Sequence, residues 1–484
     1  MTDGSRLVGD LPVVSADTAA DHVGDTDTLV VSGFGSVGNP KAVPEALAAS
    51  GRDLALTVVS GGSAGEQIDG DLVEAGAIAR RYPFQGHAAS RTAINERTIA
   101  FHDTHISRLG EQVELGGFVD ADTAVVEAVA AGPGWLIPST SIGHTPAYVA
   151  AADQVIVEVN HGQPRELAAL HDVFRPGLPP DREPIDLSGP GDRIGDARIR
   201  FSPEKLVAVV ETTAPDTPYS FREPTAADRT IAANFRRFLE EECERNPALE
   251  TTIRLQFGVG SMGNALMGAL SSFDADGRRL DYFGEVIQDG LLDLVDDGTL
   301  DAASATSLAL STEGQERLFA DTERYSDGVV LRPASVSNRA ELIDRFGVVA
   351  VNSAVEVDLY GNANSTHVGG TELLNGIGGS GDFNRNGLFS ITALPSTAAD
   401  GDVSRVVPAV SHVDQTEHDV SVVVTEHGVA DLRGLSPVER AERLIERCAH
   451  PDYRDRLRSY LDHATKRDGH VPHDLTVAYD WMDQ

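Results

Sequence analysis

The sequence predicts an α/β protein made of two similar open α/β domains with mainly parallel sheets. Three observations carry that expectation. First, an apolar run, Leu29-Val30-Val31-Ser32, leads into the glycine turn Gly33-Phe34-Gly35-Ser36-Val37-Gly38-Asn39-Pro40 and then a helix-like stretch, KAVPEALAAS. Second, the same order recurs downstream: Ile253 to Phe257, then Gly258-Val259-Gly260-Ser261-Met262-Gly263, then NALMGALSSF. Strand, glycine turn, helix is the opening of an α/β unit. Gly258 follows Gly33 by 225 residues in a chain of 484, a spacing that suggests two α/β halves. Third, short apolar β-branched runs recur at Ala55–Ser60, Val155–Val159, Val348–Val351 and Val420–Val424. Continuous apolar runs of this length fit parallel strands buried on both faces better than half-exposed antiparallel ones.

The remaining elements follow in order. A Pro/Gly/Asp-rich tract runs from Phe174 to Arg193, and the strand-like Leu206–Glu211 after it can complete the first half. A proline-bearing stretch from Thr213 to Pro224 precedes a helical segment, Ala226 to Arg245, which places the boundary near residue 225. The expected domains are therefore residues 1–225 and 226–484. Two helices, Pro437–Cys448 and Tyr453–His463, are expected to cap the second half.

Composition narrows the function classes. The chain carries 75 acidic and 39 basic residues, a net charge of −36, and only three of the basic residues are lysine: Lys41, Lys205 and Lys466. The acid is scattered rather than gathered in a tail, a surface suited to molar salt, where the Debye length falls to about 3 Å and self-repulsion is screened. With no basic stripe to neutralise phosphates, nucleic acid is excluded as a partner. No run of about 18 apolar residues is present, so no membrane-spanning helix is expected. The N-terminal MTDGSRLVGDLP lacks the basic and apolar regions of a signal peptide. Cys243 and Cys448 cannot supply a disulfide framework or a four-cysteine zinc site, and no metal is expected. The chain reads as a soluble cytoplasmic protein.

Three chemistries are open to these residues. Both glycine turns match G-x-G-x-x-G, and Glu285 falls 22 residues after Gly263, where a ribose-binding acid of an NAD site could lie. Gly61-Gly62-Ser63-Ala64-Gly65 matches the G-x-S-x-G elbow of a serine hydrolase after a strand-like run, but no HGGG-type oxyanion segment is present and a plain Gly/Ser turn at a strand end is the better reading. Thirdly, Glu285, in Asp281-Tyr282-Phe283-Gly284-Glu285-Val286-Ile287-Gln288-Asp289-Gly290, ends a buried strand before a helix. A carboxylate held rigidly in a partly apolar cleft can act as a covalent nucleophile toward an activated acyl group.

Longer runs favour the third. GEVIQDGLLDLVDDG, SNRAELIDRFGVVAVNSAVEVDLYGNANSTHVGG, NGIGGSGDFNRN and VSHVDQTEHDVSVVVTEHGVADLRGLSPVERAERLIERCAHPDYR, with AGEQIDGDLVEAGAIARRYPFQG and LIPSTSIGHTPAYVAAADQVIVEVNHGQP in the first half, span nearly the whole chain. In these runs the sequence resembles the acetyl-CoA hydrolase/transferase family of class I coenzyme A transferases, its succinyl-CoA:acetate members in particular. The resemblance implies an active site between the two domains, a homodimer, coenzyme A thioesters as substrates and no permanently bound cofactor. It places the catalytic glutamate on Glu285, in the C-terminal half, with oxyanion donors from Asn338 and the backbone of Gly379. Coenzyme A contacts fall on Gly258, Val259, Gly260 and Ser261, and on Asn375, Gly378 and Gly379. Gly33–Pro40 matches a glycine loop over the acyl group, and Gly361-Asn362-Ala363-Asn364 is a further acyl-pocket candidate. Read by themselves, Asn338 is a turn residue in an N-cap role before a helix and the Gly378-Gly379-Ser380-Gly381 run a tight turn. The histidines His412, His418, His427 and His450 read as structural hydrogen-bonders. Where the family often carries a phosphate-binding lysine this chain has Ala399, with Arg405 as a nearby substitute. The implied reaction is transfer of coenzyme A between an acyl-CoA and a small carboxylic acid such as acetate, propionate or succinate, with hydrolysis of acetyl-CoA by the same glutamate as the alternative.

Overall fold

The computed structural model describes residues 5–479. Packing divides the chain into two compact units: Met1–Ser220 with Tyr282–Leu292 and Asp301–Leu342, and Phe221–Asp281 with Asp293–Leu300 and Ile343–Gln484. The chain first passes from one unit to the other at Ser220 and Phe221, a few residues before the expected boundary. It then returns twice, so that the segment bearing Glu285 packs with the N-terminal residues although it follows the second glycine turn.

The first unit is built on a nine-stranded sheet. Its centre is Thr28–Val31, which runs parallel to Leu56–Val59 on one side and to Thr123–Gly132 on the other. Ile78–Tyr82 and Ala100–Phe101 extend the sheet in parallel on the first side. Gln154–Asn160 and Leu206–Thr212 extend it in parallel on the second, so Leu206–Thr212 does complete the first sheet. Trp135–Pro138 and Ile199–Arg200 add antiparallel pairs. All ten residues of Thr123–Gly132 are buried, as a strand covered on both faces requires. Apolar side chains cover the sheet on both sides: Val31, Val58, Val125 and Ile156 in one layer, Val30, Val59, Val126 and Val157 in the other. A parallel pair, Ala302–Ala305 with Val329–Leu331, also belongs to this unit.

In the second unit Thr252–Phe257, Val349–Asn352, Phe389–Ala393 and Val422–Thr425 lie side by side in parallel, and Gly428–Asp431 closes the edge antiparallel. The long helix Ala226–Arg245 starts on a capping box, with Thr225 and Asp228 satisfying each other's backbone N–H groups. Helices Pro437–Arg447 and Pro451–Ala464 bury Leu444, Leu457 and Leu461 in the core formed by Val423, Ala430 and Leu432. Among the described residues no helix is long and apolar enough to cross a membrane.

One ion cluster ties the long helix to the sheet edge of this second unit. Arg433 donates from Nη1 and Nη2 to the two oxygens of buried Glu242, both at 2.8 Å, and from Nε to Asp431 at 2.9 Å. Its guanidinium lies 5.0 Å from the centre of the Phe389 ring. Arg433 holds the Glu242 carboxyl down at about 2. A depressed carboxylate stabilises the fold above its unfolded value near 4.5 and loses that contribution as pH falls toward 2. Arg433→Met is therefore expected to lower unfolding stability by on the order of 2 kcal/mol at pH 7. Denaturant titrations should show that deficit intact above pH 5 and shrinking below it; a deficit independent of pH would rule out Glu242 as its source.

Candidate active site

Glu285 lies in the turn after strand Arg279–Phe283. The turn is fixed from both sides. Gly284 N–H donates to Ser304 O at 2.9 Å, and Glu285 O accepts from Thr306 N at 2.8 Å and Ser307 N at 3.1 Å. Val286–Ile287 then pairs in parallel with Ser307–Leu308. Beneath the turn the Tyr282 hydroxyl donates to Val286 O at 3.0 Å. A Cβ at Gly284 would lie 2.3 Å from that hydroxyl oxygen, so the backbone can approach the ring only because residue 284 is glycine. With its backbone pinned, the half-buried Glu285 side chain leaves from a defined point.

Its partner comes from a different segment. Asn338 caps the short helix Ala334–Ser337 by donating its N–H to Ala334 O at 2.9 Å, and it is fully buried. From there Asn338 Nδ2 donates to Glu285 Oε1 at 2.7 Å. Asn338 is thus the C-cap of the preceding helix rather than the N-cap expected, and that position aims its amide. Ala334 N–H donates to Gly143 O at 2.9 Å and Gly143 N–H to Thr306 Oγ1 at 3.0 Å, which closes a ring of bonds back to the residue that holds Glu285 O. Val286, the residue after Glu285, packs in an apolar cluster with Ala309, Ala334, Ile106 and Phe34. A carboxylate on a fixed backbone, with one oxygen on an amide donor, can attack an electrophilic carbonyl.

Deeper in the same unit Arg332, fully buried, forms an ion pair with Asp172 and donates from Nε to Ser304 Oγ at 2.9 Å. Burial lowers the Arg332 pKa to about 10. Asp172 also accepts from Ile194 N at 2.8 Å and Gly195 N at 2.5 Å, so the pair fastens the Ser304 strand to the residues that follow the Pro/Gly-rich tract.

The residues expected to contact coenzyme A, Gly379 among them, belong to the second unit, whereas the Gly33–Pro40 loop belongs to the first. Gly258 N–H donates to Val351 O at 2.9 Å, and a Cβ there would approach Asn352 Oδ1 to 3.1 Å. Val259 is exposed, Gly260 takes a φ of +124°, and Ser261 opens the helix Ser261–Leu270. Gly378 has a φ of +58° and Gly379 caps Ser380–Asn386. Asn375 Nδ2 donates to Gly376 O at 2.8 Å and Ser365 O at 3.1 Å, which braces the approach to that turn. A buried chain of amides joins the two turns. Asn352 exchanges bonds of 3.0 and 3.1 Å with Gln256 and donates to Asn384 at 2.8 Å. Asn384 donates to Gln415, which donates to Ser380 Oγ at 3.1 Å.

The alternative motifs resolve into structure. Ser63 Oγ accepts from Gly86 N–H at 2.9 Å, the role of a turn residue, and among the described residues no histidine is hydrogen-bonded to it. Asn362 and Asn364 direct their amides to Asp358 and Glu356 at 2.9 and 3.0 Å within their own hairpin. Arg405 donates from Nε to Val355 O at 2.8 Å, with Glu356 and Glu426 nearby. Ala399 and Asp400 form a turn with φ of 49° and 55°. His450 caps Pro451–Ala464 through Nδ1, whereas His412 stacks on His367 with ring centres 4.1 Å apart. Sequence reasoning did not reach Thr306, Asp216 or Tyr219, whose significance lies in bonds between distant segments. The burial of Lys41 had a signal: it is one of three lysines in the chain.

Known proteins match this chain along most of its length. It is 42% identical over 475 residues to a succinyl-CoA:acetate CoA-transferase of Clostridium kluyveri, covering 97% of this chain and 88% of that protein. It is 39% identical to a propanoyl-CoA:succinate CoA transferase of Escherichia coli, over 96% of both chains. It is also 39% identical to an acetyl-CoA hydrolase of Saccharomyces cerevisiae, over 93% of this chain and 89% of that one. Among solved structures, a 4-hydroxybutyrate CoA-transferase of Porphyromonas gingivalis has the same fold, with a TM-score of 0.63, 24% identity and coverage of 93% and 97%. Residues 12–211 match the Acetyl-CoA hydrolase/transferase N-terminal domain and residues 314–461 the corresponding C-terminal domain. The chain belongs to the acetyl-CoA hydrolase/transferase family and is an enzyme of the CoA-transferase/hydrolase type.

Proposed function

We propose that the protein transfers coenzyme A between a small acyl-CoA, such as acetyl-CoA or succinyl-CoA, and a small carboxylic acid such as acetate, by a ping-pong reaction through Glu285. The observation that carries this reading is the 2.7 Å bond from Asn338 Nδ2 to Glu285 Oε1. A Glu285 oxygen attacks the thioester carbonyl, the C–S bond breaks, and coenzyme A leaves as thiolate from a mixed anhydride. The thiolate attacks the Glu285 carbonyl carbon, forming a glutamyl-CoA thioester and releasing the first acid as carboxylate. The acceptor carboxylate repeats these steps in reverse. Each step exchanges bonds of similar energy, so no ATP is consumed.

Each tetrahedral intermediate carries an oxyanion that needs donors already in place. Asn338 Nδ2 is one, and the Gly379 N–H is the second in this proposal. Gly258, Val259, Gly260, Ser261, Asn375 and Gly378 are assigned to coenzyme A; the positive φ of Gly260 and Gly378 supports a backbone that presents itself without side chains. Hydrolysis is the second reading, supported by the fungal relatives named acetyl-CoA hydrolase: water in place of the acceptor acid would resolve the same thioester. The dispersed charge of −36 with three lysines supports a salt-rich cytoplasm as the working environment, and the proposed working form is a homodimer.

Intact mass after mixing with succinyl-CoA in high salt should show a covalent adduct of coenzyme A, absent from Glu285→Ala. Discharge of the adduct by acetate faster than by water is expected; equal rates would establish hydrolysis instead, and a fully active Glu285→Ala would end the covalent scheme. Asn338→Ala should lower kcat about 10²–10³-fold, the usual cost of one oxyanion donor. Circular dichroism should show its fold unchanged.

A further inference from the structure

Lysine is scarce in this chain, yet Lys41 is 2% exposed. Its ammonium donates to Asn39 O at 2.8 Å and Glu127 Oε2 at 2.5 Å, and lies 2.8 Å from Asp216 Oδ1. Three divergent donors on a compact head meet three acceptors, which the planar fork of arginine could not do in the same space. Asp216 also accepts from Gly38 N–H at 3.1 Å, Thr140 Oγ1 at 2.5 Å and Gln163 Nε2 at 3.1 Å. Glu127 accepts from Ser139 Oγ at 2.5 Å and Asn160 Nδ2 at 3.0 Å. Two carboxylates around one ammonium are a costly thing to bury, and they do not form the cheapest core.

What these groups hold is the glycine loop. Gly33, Gly35, Ser36 and Gly38 all have φ between +62° and +111°; within the loop Phe34 N–H donates to Val37 O at 3.1 Å, and Ser36 N–H donates to Ser63 O at 2.8 Å. Its far end is fastened by Gly38 N–H on Asp216 and by Ser32 Oγ, which donates to Gly38 O at 2.8 Å. Its tip is fastened by the Tyr219 hydroxyl, which donates to Gly35 O at 2.8 Å from a segment itself bound through Tyr219 N–H to Leu310 O at 2.9 Å. The loop lies against the nucleophile's neighbour: Phe34 packs with Val286, and a Cβ at Gly35 would lie 3.9 Å from Val286 Cγ2 and 3.8 Å from Ser307 Oγ.

We propose that Lys41, Asp216 and Tyr219 are positioning residues that hold the Gly33–Gly38 loop against the Glu285 segment and thereby set which carboxylic acid reaches Glu285. The proposal rests on the transferase reading above. In this proposal the loop, packed on Val286 and Ser307, is the wall a small acid meets beside Glu285, so loosening it changes discrimination between acids without touching coenzyme A.

The test uses the full-length enzyme, Tyr219→Phe and Asp216→Asn. Each protein is loaded with coenzyme A from succinyl-CoA, and the adduct is discharged by acetate, propionate or butyrate in separate reactions. The second-order rate of discharge by acetate is expected to fall about fivefold in Tyr219→Phe and tenfold or more in Asp216→Asn. The butyrate-to-acetate ratio should rise at least threefold in both, with the dissociation constant for coenzyme A unchanged within twofold. A merely structural role would lower all three acids alike and leave the ratio unmoved, which would overturn the proposal. If Asp216→Asn does not fold, Tyr219→Phe, which removes one oxygen, decides alone. An adduct that forms normally and discharges as in the wild type overturns this proposal alone; a wild type that forms no adduct overturns the transferase reading, and this one with it.

Discussion

The arrangement around Glu285 depends on one acceptor, its own peptide oxygen. Two successive N–H groups, from Thr306 and Ser307, converge on it. They fix the plane of the peptide on the C-terminal side of the nucleophile, and the Gly284 N–H fixes the Phe283–Gly284 peptide by its bond to Ser304 O. With the backbone held on either side, the Asn338 amide selects among the side-chain rotamers of Glu285. A nucleophile on a free loop would lose that selection and need to recover its conformational entropy in every turnover.

The support is polar throughout. In one unit Arg332 and Asp172 are buried together under the Ser304 strand; in the other, four amide side chains run from the Gly258 turn to Ser380. Apolar packing determines distance loosely and orientation hardly at all, whereas a satisfied hydrogen-bond chain in a low dielectric determines both. Such networks are destabilising when half satisfied, so each member constrains the next. That is why turns rich in glycine, flexible in isolation, can hold a single geometry here.

Charge is used in two different ways along this chain. On the surface acid predominates and is scattered, with arginine supplying nearly all of the balancing charge. Arg433 shows the gain from arginine: its fork reaches both oxygens of Glu242 while its face covers Phe389. Where a single point charge must meet a carbonyl and two carboxylates from distant segments, lysine remains, at Lys41.

Much of this was readable from the chain itself. The strands Thr28–Val31, Leu56–Val59, Gln154–Asn160, Val349–Asn352 and Val422–Thr425 fall on the apolar β-branched runs, and the helix Ala226–Arg245 fills the predicted span to the residue. Both glycine turns lead from a strand to a helix. These are local properties: burial on both faces of a parallel strand demands an unbroken apolar run, and a turn with positive φ favours glycine. Glu285 and Asn338 were legible only through family likeness, since one acid among 75 and one cap residue carry no local mark. Tertiary structure alone decided the rest. It set Asn338 on Glu285 across 53 residues, returned the Glu285 segment to the N-terminal unit, and placed Asp216 and Tyr219 on a loop some 180 residues earlier. The reason is physical: a hydrogen bond between distant segments depends on how whole sheets pack, and no periodicity in either segment encodes the partner.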